Sequence, residues 1–191
     1  MTASVGRWAL MAALVLAGCS RQERREDCGD SVRVVDPSLL AFLSKARSAH
    51  HAADLHDASG DRAAALRSLQ SLTAGPVPGG AAPEVEEVLA DTRARSAELL
   101  SQMGRFDQAD EELKQGLDHA RTPTYFRGHL FEVRGLVEER REKALRAGDR
   151  GQEADQARRR SLDAYEEAMK IQAQVIGSAV PPRASSSAPR P

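Results

Sequence analysis

From Asp36 to Ile176 apolar residues recur at spacings of three and four, and Gly or Pro interrupts the pattern at intervals. That is the signature of consecutive amphipathic helices separated by tight turns. Asp36 and Pro37 supply an N-cap and a proline at the first helical position, opening a helix that stops before Gly60. A second helix follows, with Ala65, Leu66, Leu69 and Leu72 as its apolar stripe. Gly75 to Pro83, "GPVPGGAAP", supports neither helix nor central strand and reads as an internal linker. Pro83 starts the third helix, whose Glu84, Glu86 and Glu87 suit the positive end of the helix dipole, and Gly104 stops it. "FDQADEELKQGLDHAR" is a shorter helix, after which Thr122 and Pro123 repeat the cap and first-turn signature before a longer helix, Tyr125 to Ala147. After "GDRG" the last helix runs from about Gln152 to Ile176. Aromatics make up only 4% of the chain, and Ala and Leu dominate the apolar content, which suits close helix packing and not a β-sandwich. The expected class is all-α, with three antiparallel hairpins at about 37–74, 84–121 and 123–176.

Aligning Gly60 with Gly104, 44 residues apart, sets Ala53 opposite Ala97, Ala65 opposite Ala109 and Leu69 opposite Leu113. In the second unit "GRFDQA" joins a turn, an aromatic Phe106 and a small Ala109, with Leu113 and Gly116 following. Small residues belong where two helices cross at close range. These residues resemble the tetratricopeptide repeat family, and the resemblance implies a short solenoid of stacked hairpins. Arg93, Ser96 and His56 depart from the family's pattern, and Gly148 to Ala154 is one residue longer than the matching intervals. The competing arrangement is an unrelated six-helix bundle with alanine-rich crossings.

The first residues carry Arg7 and then "WALMAALVLAG", too short for the roughly 20 helical residues of a bilayer core. Leu16, Ala17 and Gly18 stand immediately before Cys19 and a charged run. That order resembles the lipobox of bacterial lipoproteins. The resemblance implies that residues 1–18 are removed, that Cys19 carries diacylglyceryl and usually a further acyl chain such as palmitate, and that 19–35 is a polar tether. Several acyl chains make a stable anchor where one is marginal. A plain signal peptide with an incidental cysteine is the alternative. Ser20 follows the lipid site where Asp often signals inner-membrane retention in Gram-negative bacteria, which favours the periplasmic face of the outer membrane. With Cys19 acylated, Cys28 in the tether has no intrachain partner. The tail 178–191 is rich in Pro, Ser and Ala and too poor in apolar residues to fold.

Basic and acidic residues balance at 27 against 28, which gives no support for nucleic-acid binding. Lysine occurs only at Lys45, Lys114, Lys143 and Lys170, an arginine bias of the kind a GC-rich genome imposes. "HHAADLHD" places His50, Asp54 and Asp57 on one helix face, yet no HExxH or CxxC accompanies them, so a solvated polar face is expected and no metal or cofactor is called for. No nucleophile elbow, phosphate loop or dinucleotide motif is present, and an enzyme is not expected. Acid pairs such as Glu138/Glu139 and Glu166/Glu167, and the runs "RARS", "RREK" and "RRRS", read as solvated helix surface. What the repeat resemblance implies is a partner groove lined by the first helix of each hairpin. Its residues here are Arg47, His50, Asp54 and Asp57, then Asp91, Ala94, Glu98 and Gln102, an acidic set suited to a basic or neutral partner segment. The expected function is a lipid-anchored, non-catalytic adaptor that binds another envelope protein. The alternative is a small-ligand or metal-sensing helical lipoprotein.

Replacing Cys19 by Ala should abolish metabolic labelling with a lipid probe and leave the precursor uncleaved. The unaltered protein should fractionate with dense outer membranes, and inner-membrane density would refute that placement.

Overall fold

The computed structural model describes residues 36–79 and 82–179. The expected signal segment, Cys19, Cys28, the tether and the chain beyond Ala179 lie outside the described residues. Six α-helices and no strand occur among the described residues: α1 (Pro37–Ala58), α2 (Arg62–Thr73), α3 (Pro83–Gln102), α4 (Phe106–His119), α5 (Tyr125–Ala147) and α6 (Gly151–Ala179).

The helix starts follow local chemistry. Asp36 accepts a hydrogen bond from Ser38 N at 2.8 Å, and Asp61 accepts one from Ala64 N at 2.9 Å, satisfying donors that the first turn leaves free. The cap of α5 is not where the Thr-Pro pair suggests. Thr124, not Thr122, accepts from Arg127 N at 3.3 Å, and Pro123 stays outside the helix. Thr124 has the extended backbone a cap needs, and its hydroxyl reaches the third residue on. At the other end α6 runs on to Ala179, so Ser178 and Ala179, which composition assigns to the tail, are helical. Nothing breaks the helix before Val180, which precedes Pro181 and Pro182.

Three turns have the same construction. Gly60, Gly104 and Asp149 adopt left-handed φ values of 84°, 74° and 57°. In each turn this residue's N–H returns to the carbonyl three residues back, and the next N–H to the carbonyl five back: Asp61 to His56, Arg105 to Leu100, Arg150 to Leu145. The third turn's left-handed residue is therefore Asp149 and not Gly148. Counted from it, Ala154 falls at the same distance as Ala65 from Gly60 and Ala109 from Gly104, so the extra residue read in the sequence disappears. All three alanines are completely buried.

Packing is serial. Within each hairpin the two helices touch along their length, and α3 covers α1 and α2 just as α5 covers α3 and α4. The central apolar cluster joins Ala94, Ala97, Leu100, Ala109 and Leu113 to Leu130, Val133 and Val137 of α5. A second joins Phe42, Ala46, Ala49 and Leu72 to Val85 and Leu89, and Ala53, Ala65, Leu69 and Leu99 form a third. The α5/α6 contact is different, being lined mainly by Ala157, Ala164, Ala168 and Ser161 facing Gly128 and Gly135. A Cβ on Gly135 would lie 2.6 Å from the Tyr165 ring, and Tyr165 is fixed there by donating to Glu139 at 3.0 Å. Burial and that carboxylate push the Tyr165 phenol up to about 12.

Ala109→Trp should lower stability by about 1–3 kcal/mol or more through overpacking of the α3/α4 crossing. Exposed Glu111→Ala should change it by less than about 0.5 kcal/mol. Equal melting temperatures for the two variants would count against this packing.

Candidate functional site

α1, α3 and α5 lie side by side, and the residues expected to line a groove are found along α1 and α3. Their surroundings differ from an open acidic trough. Arg47 is exposed and Ala94 is completely buried, so Ala94 belongs to the core and cannot line the surface. Small Ala94 allows α5 to approach α3, as its place in the central cluster shows. His50 Nε2 lies 2.9 Å from Thr92 Oγ1. Because Thr92 gives its own proton to the Val88 carbonyl, His50 is the donor of that pair. Asp91 lies 3.9 Å from the other ring nitrogen of His50.

Asp54, Asp57, Glu98 and Gln102 belong to one charged seam that crosses from α1 through α3 to α5. Arg95 reaches Asp57 at 2.9 Å, Asp54 at 3.5 Å and Glu98 at 2.7 Å. Arg140 of α5 reaches Glu98 at 3.3 Å and donates to Ser101 Oγ at 2.9 Å. Gln102 donates to Glu98 and accepts from Arg62 of α2. Burial alone would raise the Glu98 carboxyl, but the hydrogen bond and charge of Arg95, then those of Arg140, outweigh it and hold the group below its ordinary 4.5. Most of the acid surplus read from α1 and α3 is thus matched by Arg95 and Arg140. Among the described residues no three His, Cys, Asp or Glu side chains converge to hold a metal ion.

A second seam ties α4, α5 and α6. Glu138 is not the solvated surface residue its sequence context suggests. It is 6% exposed and held in a two-pronged pair by Arg160, at 3.0 and 2.9 Å, with Arg141 at 3.4 Å. Glu139 is bound by Tyr165, so neither member of that pair is ordinary helix surface. Arg141 also reaches Asp110 at 2.5 Å and lies over the Phe106 ring. In the run "RARS", Arg93 pairs with Glu112 at 2.8 Å, and Ser96 is buried, donating to the Thr92 carbonyl. Each basic run thus contributes ties between helices, through Arg93 and Arg95, Arg140 and Arg141, and Arg160, while Arg158 and Arg159 stay exposed as expected. The cations that make these ties are all arginine, whose planar fork suits a carboxylate.

Two clefts open beside these seams. One of about 450 Å³ lies over α5 between α4 and α6, with Phe131, Arg134, Glu138, Arg141 and Asp163 among its walls. Arg127 and Arg134 both lie over the Phe131 ring, at 5.4 and 5.2 Å. The other, about 570 Å³, lies where α3 begins and α4 ends, beside Glu86, His119 and Phe126. His119 Nδ1 is 2.8 Å from Glu86.

No family model, curated protein or solved structure matches this chain. Nor is any helix among the described residues long and apolar enough to cross a membrane.

Glu98→Gln should lower stability by about 1–2 kcal/mol at neutral pH, since it weakens charged hydrogen bonds to two arginines. A carboxyl held below its ordinary value stabilises the fold above that value and ceases to do so as pH falls through its folded-state pKa. The difference in melting temperature should therefore be full above the ordinary carboxyl value of 4.5 and shrink as pH falls below it. A constant difference across that range would remove Glu98 as the cause.

Proposed function

We propose that the chain is a lipid-anchored, tetratricopeptide-like adaptor of the bacterial envelope, held through Cys19 on the periplasmic side of the outer membrane. It binds another envelope protein across the face formed by α1, α3 and α5 and performs no catalysis itself. The observation that carries the reading is serial packing: among the described residues each hairpin packs only against its immediate neighbours in the stack, leaving the sides of the stack free for an extended partner. The repeated turn at Gly60, Gly104 and Asp149 supports the family resemblance. Arg47, Asp54 and Asp91 are the groove residues least committed to internal ties, and they are the natural points of contact.

Partner choice on such a face is electrostatic more than apolar. Asp57 and Glu98 hold Arg95 and Arg140, so reversing them would disturb packing as well as binding. Reversal at Asp54 and Asp91 together should reduce capture of the crosslinked envelope partner by about tenfold while leaving helicity and membrane association unchanged. Reversal at Glu111 and Glu167, on α4 and α6, serves as the control. Equal loss with both pairs would show a general charge effect, and no loss with either would move the contact elsewhere.

A further inference from the structure

α6 is the end of the stack and its longest helix, with 29 residues against 23 in α5. Gly135 faces Ser161 and Tyr165, and Gly128 faces Ala168 and Gln172, so the last turn, from Ile176, runs past the first residue of α5. Beyond the inward face stands a ridge of Leu162, Met169 and Ile176, exposed by 54%, 61% and 66%. The α1/α2 hairpin is covered by α3 and the α3/α4 hairpin by α5, whereas among the described residues α6 packs against α5 alone. An overhanging helical turn with an apolar ridge draws little stability from its own chain.

We infer that this ridge is covered by α6 of a second copy, packed antiparallel about a two-fold axis at Met169. The ridge is self-complementary about that point. Leu162 and Ile176 each lie seven residues from Met169, about 10.5 Å along the axis, so Leu162 of one copy meets Ile176 of the other. On one flank of the ridge Glu166, exposed and without an ion-pair partner among the described residues, comes beside Lys170 of the second copy. Lys170 is tied in its own copy only to exposed Glu167, a pair that exchanges partners at little cost. Parallel pairing would carry Glu166 and Lys170 of the two copies to opposite flanks of the contact and lose that pairing, with the helix dipoles aligned unfavourably. An isologous contact also closes after two copies, so the exposed end does not propagate into a filament.

The test uses the full chain with Cys19→Ser and Cys28→Ser, so that any introduced thiol is the only one. Sedimentation should show a monomer–dimer equilibrium, and Met169→Lys should move its midpoint about tenfold or more to higher concentration without changing the thermal melt of the dilute monomer. Under mild oxidation Met169→Cys should yield a disulfide dimer. Leu162→Cys should do so only when mixed with Ile176→Cys. A chain that stays monomeric at every concentration overturns the inference, as does Leu162→Cys crosslinking to itself as fast as Met169→Cys. Dimers that form only after removal of residues 180–191 would also overturn it, because they would make the tail the occupant.

Discussion

Where α1 crosses α2 and α3 crosses α4, the meeting residues are Ala53 with Ala65 and Ala97 with Ala109; where α5 meets α6, Gly135 receives the Tyr165 ring and Ser161 reaches the Gly135 carbonyl. Single-carbon and hydrogen side chains let helix axes come close, which gathers many weak dispersion contacts. They also bury little apolar area per residue, and alanine is about half of the buried apolar set. Larger residues such as Leu69, Leu99 and Leu113 supply depth in the first two hairpins. The third lacks that depth, with Ile171 the only large apolar residue buried on α6, and relies on Ser161, Tyr165 and the Glu138–Arg160 pair.

Smooth crossings of this kind leave the sliding of one helix along another weakly specified. Directional polar ties supply what they lack. Arg95 and Arg140 link successive first helices, Arg141 links α5 back to α4, and Arg160 fixes α6 to α5 through buried Glu138. An arginine fork accepts a carboxylate in few geometries, so each pair fixes position along the helix even where desolvation leaves little net stabilisation. The arginine bias that looks like a mark of genome composition thus has a physical consequence, since a lysine at Arg160 would offer one point of attachment where two are used.

The helix plan was legible because it rests on local chemistry: Asp36 and Asp61 cap, Pro83 opens, and Gly60 and Gly104 turn left-handed, all within a few residues of chain. The errors arose where one local option competed with another. Thr122 and Thr124 both precede the fifth helix, and only backbone geometry selects the second. Asp149 takes the left-handed place beside Gly148 because the repeated hydrogen bonds to Arg146 and Leu145 require it there. The charged residues were less legible. Whether Glu138 meets solvent or Arg160 depends on a partner 22 positions away, and periodicity carries no information about that pairing. The groove residues followed the helix plan onto α1 and α3, but the arginines that neutralise them come partly from α5 and could not be assigned to them from spacing.

Serial stacking also determines how the domain responds to mechanical load. Among the described residues the α1/α2 pair is joined to the remainder only through α3, and the α5/α6 pair only through α3 and α4, so no helix contact spans the whole stack. Tension drawn through residue 36 would act first on the contacts of α1 and leave those of α5 unstrained. Such a chain yields one hairpin at a time, lengthening in separate steps, and each released pair can refold against the template still standing beside it.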